Sequence, residues 1–549
     1  MPGHVQVECL TVGEFLGGDR KLVLPWFQRG YAWGERQIGR LMSDLRSAMQ
    51  APADRQRYFL GHIHLARPKS ERIDQLIDGN QRITTLTILF SILRDQTIGE
   101  EAQGLHRVIT TPESAATAGT SRLRLNPQPS VAAFLERYVQ SAGGTRIEFE
   151  GDLMALSQTE RAIFNNREQI KFHLAETPID RAALARFIQM RCCLTVSTVE
   201  DPEEAWDMLA TEEETGLKHH DTDRAKYSLL APMPRDQQGE AARIWDTWVA
   251  RIGPDRVQEL LGHMRTLDHG RRSTKPIEED LIRIYRLDTT GIDFLEKRFA
   301  PRAGWLDRIV RRDIGTGAAR DLVAQRLETL SWLDQAQWMA AAVRWLETRG
   351  DQHEETPEFF FALDRLAWIL RIAGADPVVQ ERRFIEVCET LKRSAPLAEV
   401  GTLTPERKLV EDARSNLASR TFEAKRYSDL VLRRISLELG RDSGPLDPDG
   451  VTVEHVLPRN PIPGSEWWRH FRTRAQIAEH ANRLGNLAFL TRPENQHAAT
   501  QIYEEKRRIL AGSTFLLAND AATARIWNAE TIRDRTEHLI CALMKSWRL

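Results

Sequence analysis

The spacing of apolar residues changes along this chain of 549 residues, and that change limits the folds open to it. In the first hundred residues, short apolar runs typical of strands alternate with longer runs typical of helices. From about residue 130 to residue 439, apolar residues instead recur every three or four positions, which predicts amphipathic helices. We therefore expect a multidomain α+β protein that is mostly helical.

The first hundred residues predict a small α/β module. The apolar pattern predicts strands and helices in alternation, with strands at 5–9, 21–24, 58–66 and 72–77 and helices at 35–48 and 81–94. Asp78 and Gly79, which are typical turn residues, separate the last strand from the last helix.

A chain of this length is too long for one hydrophobic core. We predict four parts: an α/β domain at 1–125, its helical extension at 126–240, a helical middle at 241–440 and a C-terminal domain at 441–549. The segment 440–450, GRDSGPLDPDG, is rich in turn-forming residues and is expected to be the linker before the last domain.

The composition predicts a soluble, cytoplasmic protein without a membrane segment. No apolar run approaches the roughly 20 residues of a membrane helix, and the first residues lack the features of a signal peptide. The five cysteines show neither zinc-site spacing nor a disulfide pattern. The net charge of -2 does not indicate a nucleic-acid binder, but residues 451–549 carry 14 Lys and Arg against 10 Asp and Glu.

Three short motifs near the C-terminus predict a phosphodiester-cleaving site. VTVEHVLP (451–458) predicts a strand that ends at a histidine, LGNLAFL (484–490) predicts a second strand, and Asn495 opens a polar helix. His455 has the chemistry of a general base, and Glu454 and Asn495 offer the oxygen ligands that Mg²⁺ prefers. Asn486 is expected to hold the loop that carries His455. The order predicts a ββα-metal (HNH) nuclease unit.

A lone Glu-His pair in a strand is more often structural, so the ordered set carries the prediction. Asn486 lies 31 residues after His455, and Asn495 lies nine residues further on. His497 is an alternative to Asn495 as the metal ligand. Lys506 either binds phosphate or lies on a solvated helix face. Trp467 and Trp468 are expected to be packing residues rather than platforms for bases.

A second motif near the N-terminus predicts a site for phosphate. IDGNQRITTL (77–86) predicts a strand, a tight turn and a helix start, where backbone amides and Arg82 attract anions. Asp78 either holds a metal or a water, or it forms the turn and caps the helix. In LPWFQRGYAW (24–33), Gln28 and Arg29 lie among aromatic residues, a mixture that either cradles a nucleotide or packs a loop.

These motifs together resemble a known family. PWFQRGYAW, YFLGHIHL, IDGNQRITTL and GLKHHDTDRAKYSLL (216–230) are similar to the ParB/sulfiredoxin-like domain with the DGQQR motif. EHVLP, LGNL and Asn495 are similar to the HNH domain commonly fused to it. The combination resembles type IV, modification-dependent restriction enzymes and anti-phage nucleases of the GmrSD and SspE kind.

The resemblance implies that the N-terminal domain binds and hydrolyses a nucleoside triphosphate, often GTP, and controls the nuclease. Asp78, Gln81 and Arg82 match the DGQQR motif, Asn80 departs from it, and Asp223 and Lys226 match the later segment. Asp78 and Arg82 are the expected catalytic residues for the nucleotide. The expected contacts with the nucleotide are Gln28, Arg29, Asp78, Gly79, Asn80, Gln81 and Arg82.

We expect a DNA endonuclease or nickase of phage defence that needs Mg²⁺ or Mn²⁺. Its expected partners are DNA, with phosphorothioate linkages or modified cytosines as open alternatives, and a nucleoside triphosphate; homodimer formation is left open. Two other hypotheses remain: a nucleotide-dependent DNA-binding regulator whose HNH unit is degenerate, and a nuclease toxin directed at RNA.

Overall fold

The computed structural model describes most of the chain, namely residues 5–28, 30–52, 57–68, 73–111, 123–153, 156–176, 179–201, 204–205, 221–393, 396–440 and 450–549. Arg29, the start of the GLKHHDTDRAKYSLL segment and most of the predicted linker lie outside these residues. The predicted mostly helical, multidomain α+β fold is confirmed. Two compact units form, Met1–Gln258 with Tyr285–Glu296, and Glu259–Ile284 with Lys297–Leu549. The four predicted boundaries stay predictions.

The described residues form eight strands and a larger set of helices. The strands are β1 (Gln6–Thr11), β2 (Leu22–Val23), β3 (Tyr58–Ala66), β4 (Asp74–Asp78), β5 (Leu125–Asn126), β6 (Cys192–Val199), β7 (Val451–His455) and β8 (Leu487–Thr491). In the first half of the chain, the α-helices are Val12–Phe15, Glu35–Gln50, Asn80–Gln96, Gly99–Ile109, Pro129–Leu135, Gln158–Glu176, Arg181–Arg191, Asp221–Leu230, Arg235–Ile252 and Pro254–His269.

The α-helices then continue to the C-terminus. They are Ile277–Tyr285, Leu287–Thr290, Ile292–Phe294, Ala300–Val310, Gly317–Ser331, Trp338–Arg349, Thr356–Ala373, Pro377–Lys392, Arg407–Leu417, Ser428–Leu439, Trp467–His470, Arg474–Ala481, Arg492–Ala498, Tyr503–Gly512, Leu516–Ala522 and Ala529–Ser546. Within the described part of the chain, no helix is both long enough and apolar enough to cross a membrane.

The N-terminal unit contains a six-stranded mixed sheet in the order β1-β6-β3-β4-β2-β5. β6 lies between β1, which is antiparallel to it, and β3, which is parallel to it. The sequence prediction missed β6, because this single strand follows a helix inside a region of helical periodicity. Its side chains nevertheless alternate in burial: Cys192, Leu194 and Val196 are buried, while Cys193 and Thr195 are partly exposed.

The helix Asn80–Gln96 is the centre of the N-terminal core. Almost all of its side chains are buried, so it is apolar on every side, as expected of a helix enclosed by protein. β4 leads directly into this helix through Gly79, whose φ of 101° lies in the left-handed region. A Cβ at Gly79 would also lie 2.1 Å from Cδ1 of Ile63, so both the turn and the close strand require glycine.

The substitution Gly79→Ala should therefore destabilise the protein by about 1–3 kcal/mol, because it adds backbone strain and a clash. Thermal unfolding followed by circular dichroism measures the loss as a lower Tm. Gly104→Ala is the matched control, since the space around Gly104 is open and alanine favours its helix, Gly99–Ile109. An equal Tm for the two variants would contradict this account of the turn.

Candidate active site

β7 and β8 form an antiparallel pair that leads into a short helix. His455 pairs with Leu487, and Val451 pairs with Thr491. Thr491 then caps the helix Arg492–Ala498, because its hydroxyl accepts from the amide of Glu494 while the Glu494 carboxylate accepts from the amide of Thr491. The three motifs seen in the sequence are thus brought together as two strands and a helix.

Asn486 joins the chain after His455 to the rest of the C-terminal core. Its side chain is fully buried, and its Oδ1 accepts from the amide of Leu457 at 2.7 Å and from Nε1 of Trp527 at 3.0 Å. Its Nδ2 donates to the carbonyls of Leu457 at 3.0 Å and Ala481 at 2.8 Å. Each polar atom of the amide is satisfied, so this side chain fixes the position of the segment after β7.

Gly485 allows a close approach between this segment and the last helix. A Cβ at Gly485 would lie 2.2 Å from the carbonyl oxygen of Ile532, so a larger residue would push the two apart. Arg535 on the same helix donates to the carbonyls of Gly485 at 2.8 Å and Leu487 at 2.9 Å. The glycine and the asparagine of LGNL therefore have separate packing and hydrogen-bonding reasons.

His455 lies beside a carboxylate that the sequence did not indicate. Its Nε2 is 2.8 Å from Oε2 of Glu423, and the same carboxylate oxygen accepts from Nη2 of Arg459. Nε of Arg459 donates to Oδ1 of Asn482 at 3.1 Å. Arg459 directly follows EHVLP and could have been noted there. Glu423 lies in a short 3₁₀ turn, Phe422–Ala424, and only the fold brings it to His455.

The electrostatic surroundings keep this histidine neutral at neutral pH. Burial lowers the pKa of His455, against the opposing effect of the Glu423 carboxylate. Burial would raise the pKa of Glu423, but hydrogen bonds from Arg459 and His455 outweigh it and hold that pKa below its ordinary value. A charged Glu423 accepting from Nε2–H leaves Nδ1 of His455 with a lone pair, as a general base requires.

Glu454 points to a different partner, Lys506. Nζ of Lys506 donates to Oε1 of Glu454 and, at 2.8 Å, to the carbonyl of His455. The Lys506 side chain is 0% exposed and that of Glu454 is 6% exposed, so the pair is enclosed by protein. Burial raises the pKa of Glu454 and lowers that of Lys506, while their mutual attraction opposes both shifts. Lys506 is therefore not on a solvated face.

Asn495 lies against β7. Its Nδ2 donates to Oγ1 of Thr452 at 2.8 Å and to the carbonyl of Val453 at 3.3 Å, which orients its Oδ1 away from these groups. His497, on the same helix, is exposed. Of the neighbouring tryptophans, Trp467 is buried and donates to the carbonyl of Gln501, and Trp468 donates to that of Ile462.

The two predicted metal ligands differ in how well they fit a divalent cation. The amide oxygen of Asn495 is a suitable hard donor, and no described residue donates a hydrogen bond to it. Glu454 does not fit in this arrangement, because Lys506 holds its carboxylate inside the protein. Across the described ranges, no group of three or more His, Cys, Asp or Glu side chains is arranged to hold a metal ion.

In the N-terminal unit, Asp78 and Arg82 lie together at the start of the central helix. Nη1 of Arg82 is 3.6 Å from Oδ2 of Asp78, and both side chains are 27% exposed. Nη1 of Arg82 also donates to the carbonyl of His62 at 2.9 Å. Gly61, with a φ of 107°, lies under the guanidinium, where a Cβ would come within 3.2 Å of its Cζ. Arg82 is thus oriented by the strand beside it.

The other polar residues of this motif are bonded within the protein. Oε1 of Gln81 accepts from the amides of Ala32 and Trp33, and its Nε2 donates to the carbonyl of Gly30. Nε2 of Gln28 donates to the carbonyl of Ile77. Asn80 is buried and accepts from Thr84. These side chains attach the FQRGYAW loop to β4 and the central helix.

As direct contacts for a nucleotide, Gln28, Asn80 and Gln81 do not fit this arrangement, whereas Asp78 and Arg82 do. The cavity beside Asn80 has a volume of about 20 Å³, which holds little more than one water. Lys226 is buried against Asp246, with Nζ 2.7 Å from Oδ1, so it forms an internal ion pair. The predicted roles in nucleotide binding stay predictions.

Comparison with protein families identifies the class of protein that carries these two sites. Residues 12–226 match the N-terminal domain of the GmrSD restriction endonuclease, and residues 409–542 match the C-terminal domain of GmrSD restriction endonucleases. The chain matches no curated protein. It belongs to the GmrSD family of restriction endonucleases, which confirms the resemblance inferred from its motifs. The protein is accordingly an endonuclease with DNA as its substrate.

The buried pair predicts a strongly asymmetric response to substitution. Lys506→Met leaves the Glu454 carboxylate buried without its partner, so we expect a loss of about 3–5 kcal/mol in the free energy of unfolding. The double variant Glu454→Met with Lys506→Met removes both charges and should recover most of that loss. Urea unfolding of both proteins measures the difference. If the single variant is as stable as the double variant, the pair does not have the structural role described here.

Proposed function

We propose that the C-terminal unit is an HNH-type nuclease that cleaves DNA in phage defence. The observation that carries the proposal is the position of His455: its imidazole is held by Glu423 and kept neutral, and Asn486 fixes the segment that follows it. A neutral histidine at the end of a strand, bonded through one ring nitrogen, has the properties of a general base.

In this proposal, Nε2–H of His455 donates to Glu423, and Nδ1 accepts a proton from water. The resulting hydroxide attacks phosphorus in line and leaves a 5′-phosphate and a 3′-hydroxyl. Arg459 is 54% exposed and uses Nη2 and Nε within the protein, so its remaining Nη1 can donate to a phosphate oxygen. Glu423 is a positioning residue, because it acts through the histidine.

A divalent cation, Mg²⁺ or Mn²⁺, is part of the proposal, with Asn495 as the residue whose amide oxygen holds it. The cation supplies neutralisation of the charge that develops on the phosphoryl oxygens. Glu454 joins Asn495 as a ligand only if its pair with Lys506 opens. His455, Glu423 and Asn486 have their roles in base catalysis and positioning independently of that opening.

We further propose that the N-terminal unit binds and hydrolyses a nucleoside triphosphate, preferably GTP, and so controls cleavage of modified DNA. The support is family membership together with the paired, partly exposed Asp78 and Arg82 at the start of the central helix. A cytoplasmic location and homodimer formation are the remaining parts of this proposal.

A second candidate function is a nucleotide-dependent DNA-binding regulator with a degenerate nuclease unit. One observation favours it: the carboxylate next to His455 is enclosed with Lys506 instead of facing an open site. An RNA-directed nuclease has no comparable observation in its favour. Substrate comparison separates all three functions.

The test is cleavage of supercoiled plasmid, with and without modified bases or phosphorothioate linkages, in Mg²⁺ and with or without GTP or ATP. His455→Ala should lower the cleavage rate by about 10²–10⁴-fold. His538→Ala, which changes an exposed histidine of the same unit, is the matched control. Phosphate release is measured in the same reactions, for the parent protein and for Arg82→Ala.

Cleavage that survives His455→Ala would refute the proposed base. Loss of phosphate release in Arg82→Ala, with no cleavage by any variant, would support the regulator. Faster cleavage of RNA than of DNA would support the third alternative. Chelation of divalent cations should abolish cleavage, and full activity in a chelator would refute the cation part of the proposal.

The pKa directions also predict the pH dependence of cleavage. Because burial lowers the pKa of His455, the neutral base is present above that pKa, and activity is lost as the pH falls through it. The Glu423 carboxylate opposes this lowering, so Glu423→Gln should move the acidic limb of the rate profile to lower pH. The variant should also reduce the plateau rate, since the ring is held less well. Single-turnover rates between pH 5 and 8 measure both effects.

An acidic limb that stays at the same pH in Glu423→Gln, or moves to higher pH, would contradict the direct bond between Glu423 and His455. Glu479→Gln is the matched control, because this carboxylate lies in the same unit and pairs with Arg483 instead of His455.

A further inference from the structure

A cavity of about 190 Å³ lies in the C-terminal unit, outside the cluster around His455. Three aromatic side chains, Trp467, Tyr503 and Trp527, line it together with exposed residues at its mouth. Pockets for drug-sized ligands are typically about 300–1,000 Å³, so this one admits a single ring system rather than a whole nucleotide.

The aromatic floor is held rigidly by the protein. The rings of Tyr503 and Trp527 lie 5.1 Å apart with an angle of 31° between their planes. The Tyr503 hydroxyl donates to the carbonyls of Ala521 and Ala524, each at 2.9 Å. Nε1 of Trp467 donates to the carbonyl of Gln501. The polar atoms of the floor are thus satisfied, and the rings offer apolar surface to an occupant.

The mouth of the cavity carries groups of both hydrogen-bonding types. Glu466 accepts, Arg525 donates, and His470 does either according to its protonation. All three are exposed, and they form no ion pair with any other described residue. An occupant with an aromatic ring and an edge of donors and acceptors would match both the floor and the mouth.

The cavity is connected to the candidate active site through one hydrogen bond. Trp527 donates from Nε1 to Oδ1 of Asn486, and the same oxygen accepts from the amide of Leu457, two residues after His455. An occupant that contacts Trp527 is therefore two hydrogen bonds from the segment that carries the proposed base.

We propose that this cavity binds one unstacked nucleobase of the DNA substrate, close to the phosphate that is cleaved. The inference rests on the proposed DNA cleavage and specifies how the nuclease unit holds its substrate. A base has the required size, an aromatic face for the floor, and an edge of donors and acceptors for Glu466 and Arg525. Binding costs the unstacking of that base, so DNA with a base already unpaired is the better ligand.

The test uses the full chain with His455→Ala, which holds DNA without the proposed base. Fluorescence anisotropy at one fixed salt concentration compares three duplexes: one fully paired, one with a single extra nucleotide, and one with the same extra nucleotide lacking its base. The two bulged duplexes share the same backbone flexibility. We expect the base-bearing bulge to bind roughly tenfold more tightly than the abasic bulge, as stacking of one base on aromatic side chains predicts.

Filling the cavity should remove this preference. Ile526, 54% exposed, also lines the cavity, and Ile526→Trp adds a large ring at its mouth. Val379→Trp is the matched control, because Val379 is 49% exposed and does not line the cavity. We expect equal affinities for the two bulged duplexes in Ile526→Trp and the full preference in Val379→Trp. Arg525→Glu is a second variant that should weaken the preference without adding volume.

Equal binding of the two bulged duplexes by the His455→Ala protein would overturn the nucleobase site while leaving DNA cleavage in place. A preference that persists in both Ile526→Trp and Arg525→Glu would overturn it as well. Absence of binding to all three duplexes would overturn the proposed DNA function itself together with the site.

Discussion

The C-terminal unit depends most on one buried side chain, the amide of Asn486. Its two polar atoms make four hydrogen bonds that join the segment after β7, the end of the helix Arg474–Ala481 and Trp527. An amide is suited to this place because it donates and accepts at once, and a buried amide left without partners is costly. The position of His455 follows from this hub, since Leu457 is fixed from both its amide and its carbonyl.

Around the hub, charged groups are buried only where another group compensates them. Lys506 is enclosed with Glu454, and Arg535 is bonded to backbone carbonyls and to Asp520. His455 differs from these groups: it has one carboxylate partner, and its burial keeps it neutral. Groups that bind and support the chain are therefore saturated with partners, whereas the proposed base retains one ring nitrogen for chemistry.

The N-terminal motif shows the same division between support and exposure. Gln28 and Gln81 spend their hydrogen bonds on the backbone of neighbouring segments, and Asn80 is enclosed with Thr84. Asp78 and Arg82 remain partly exposed beside the helix start. A shared motif can thus contain residues that build a turn and residues that face solvent, and position in the motif alone does not separate them.

The sequence by itself determined the order of the elements and the ββα arrangement of the C-terminal motifs, because hydrophobic periodicity and turn residues are local properties. It also placed Asn486 correctly as the residue beside the loop after His455. Only the tertiary structure decided that Glu423 meets His455, that Lys506 encloses Glu454, and that β6 enters the N-terminal sheet. Each of these contacts joins residues at least 32 positions apart, so it depends on how distant segments pack, which no local pattern records.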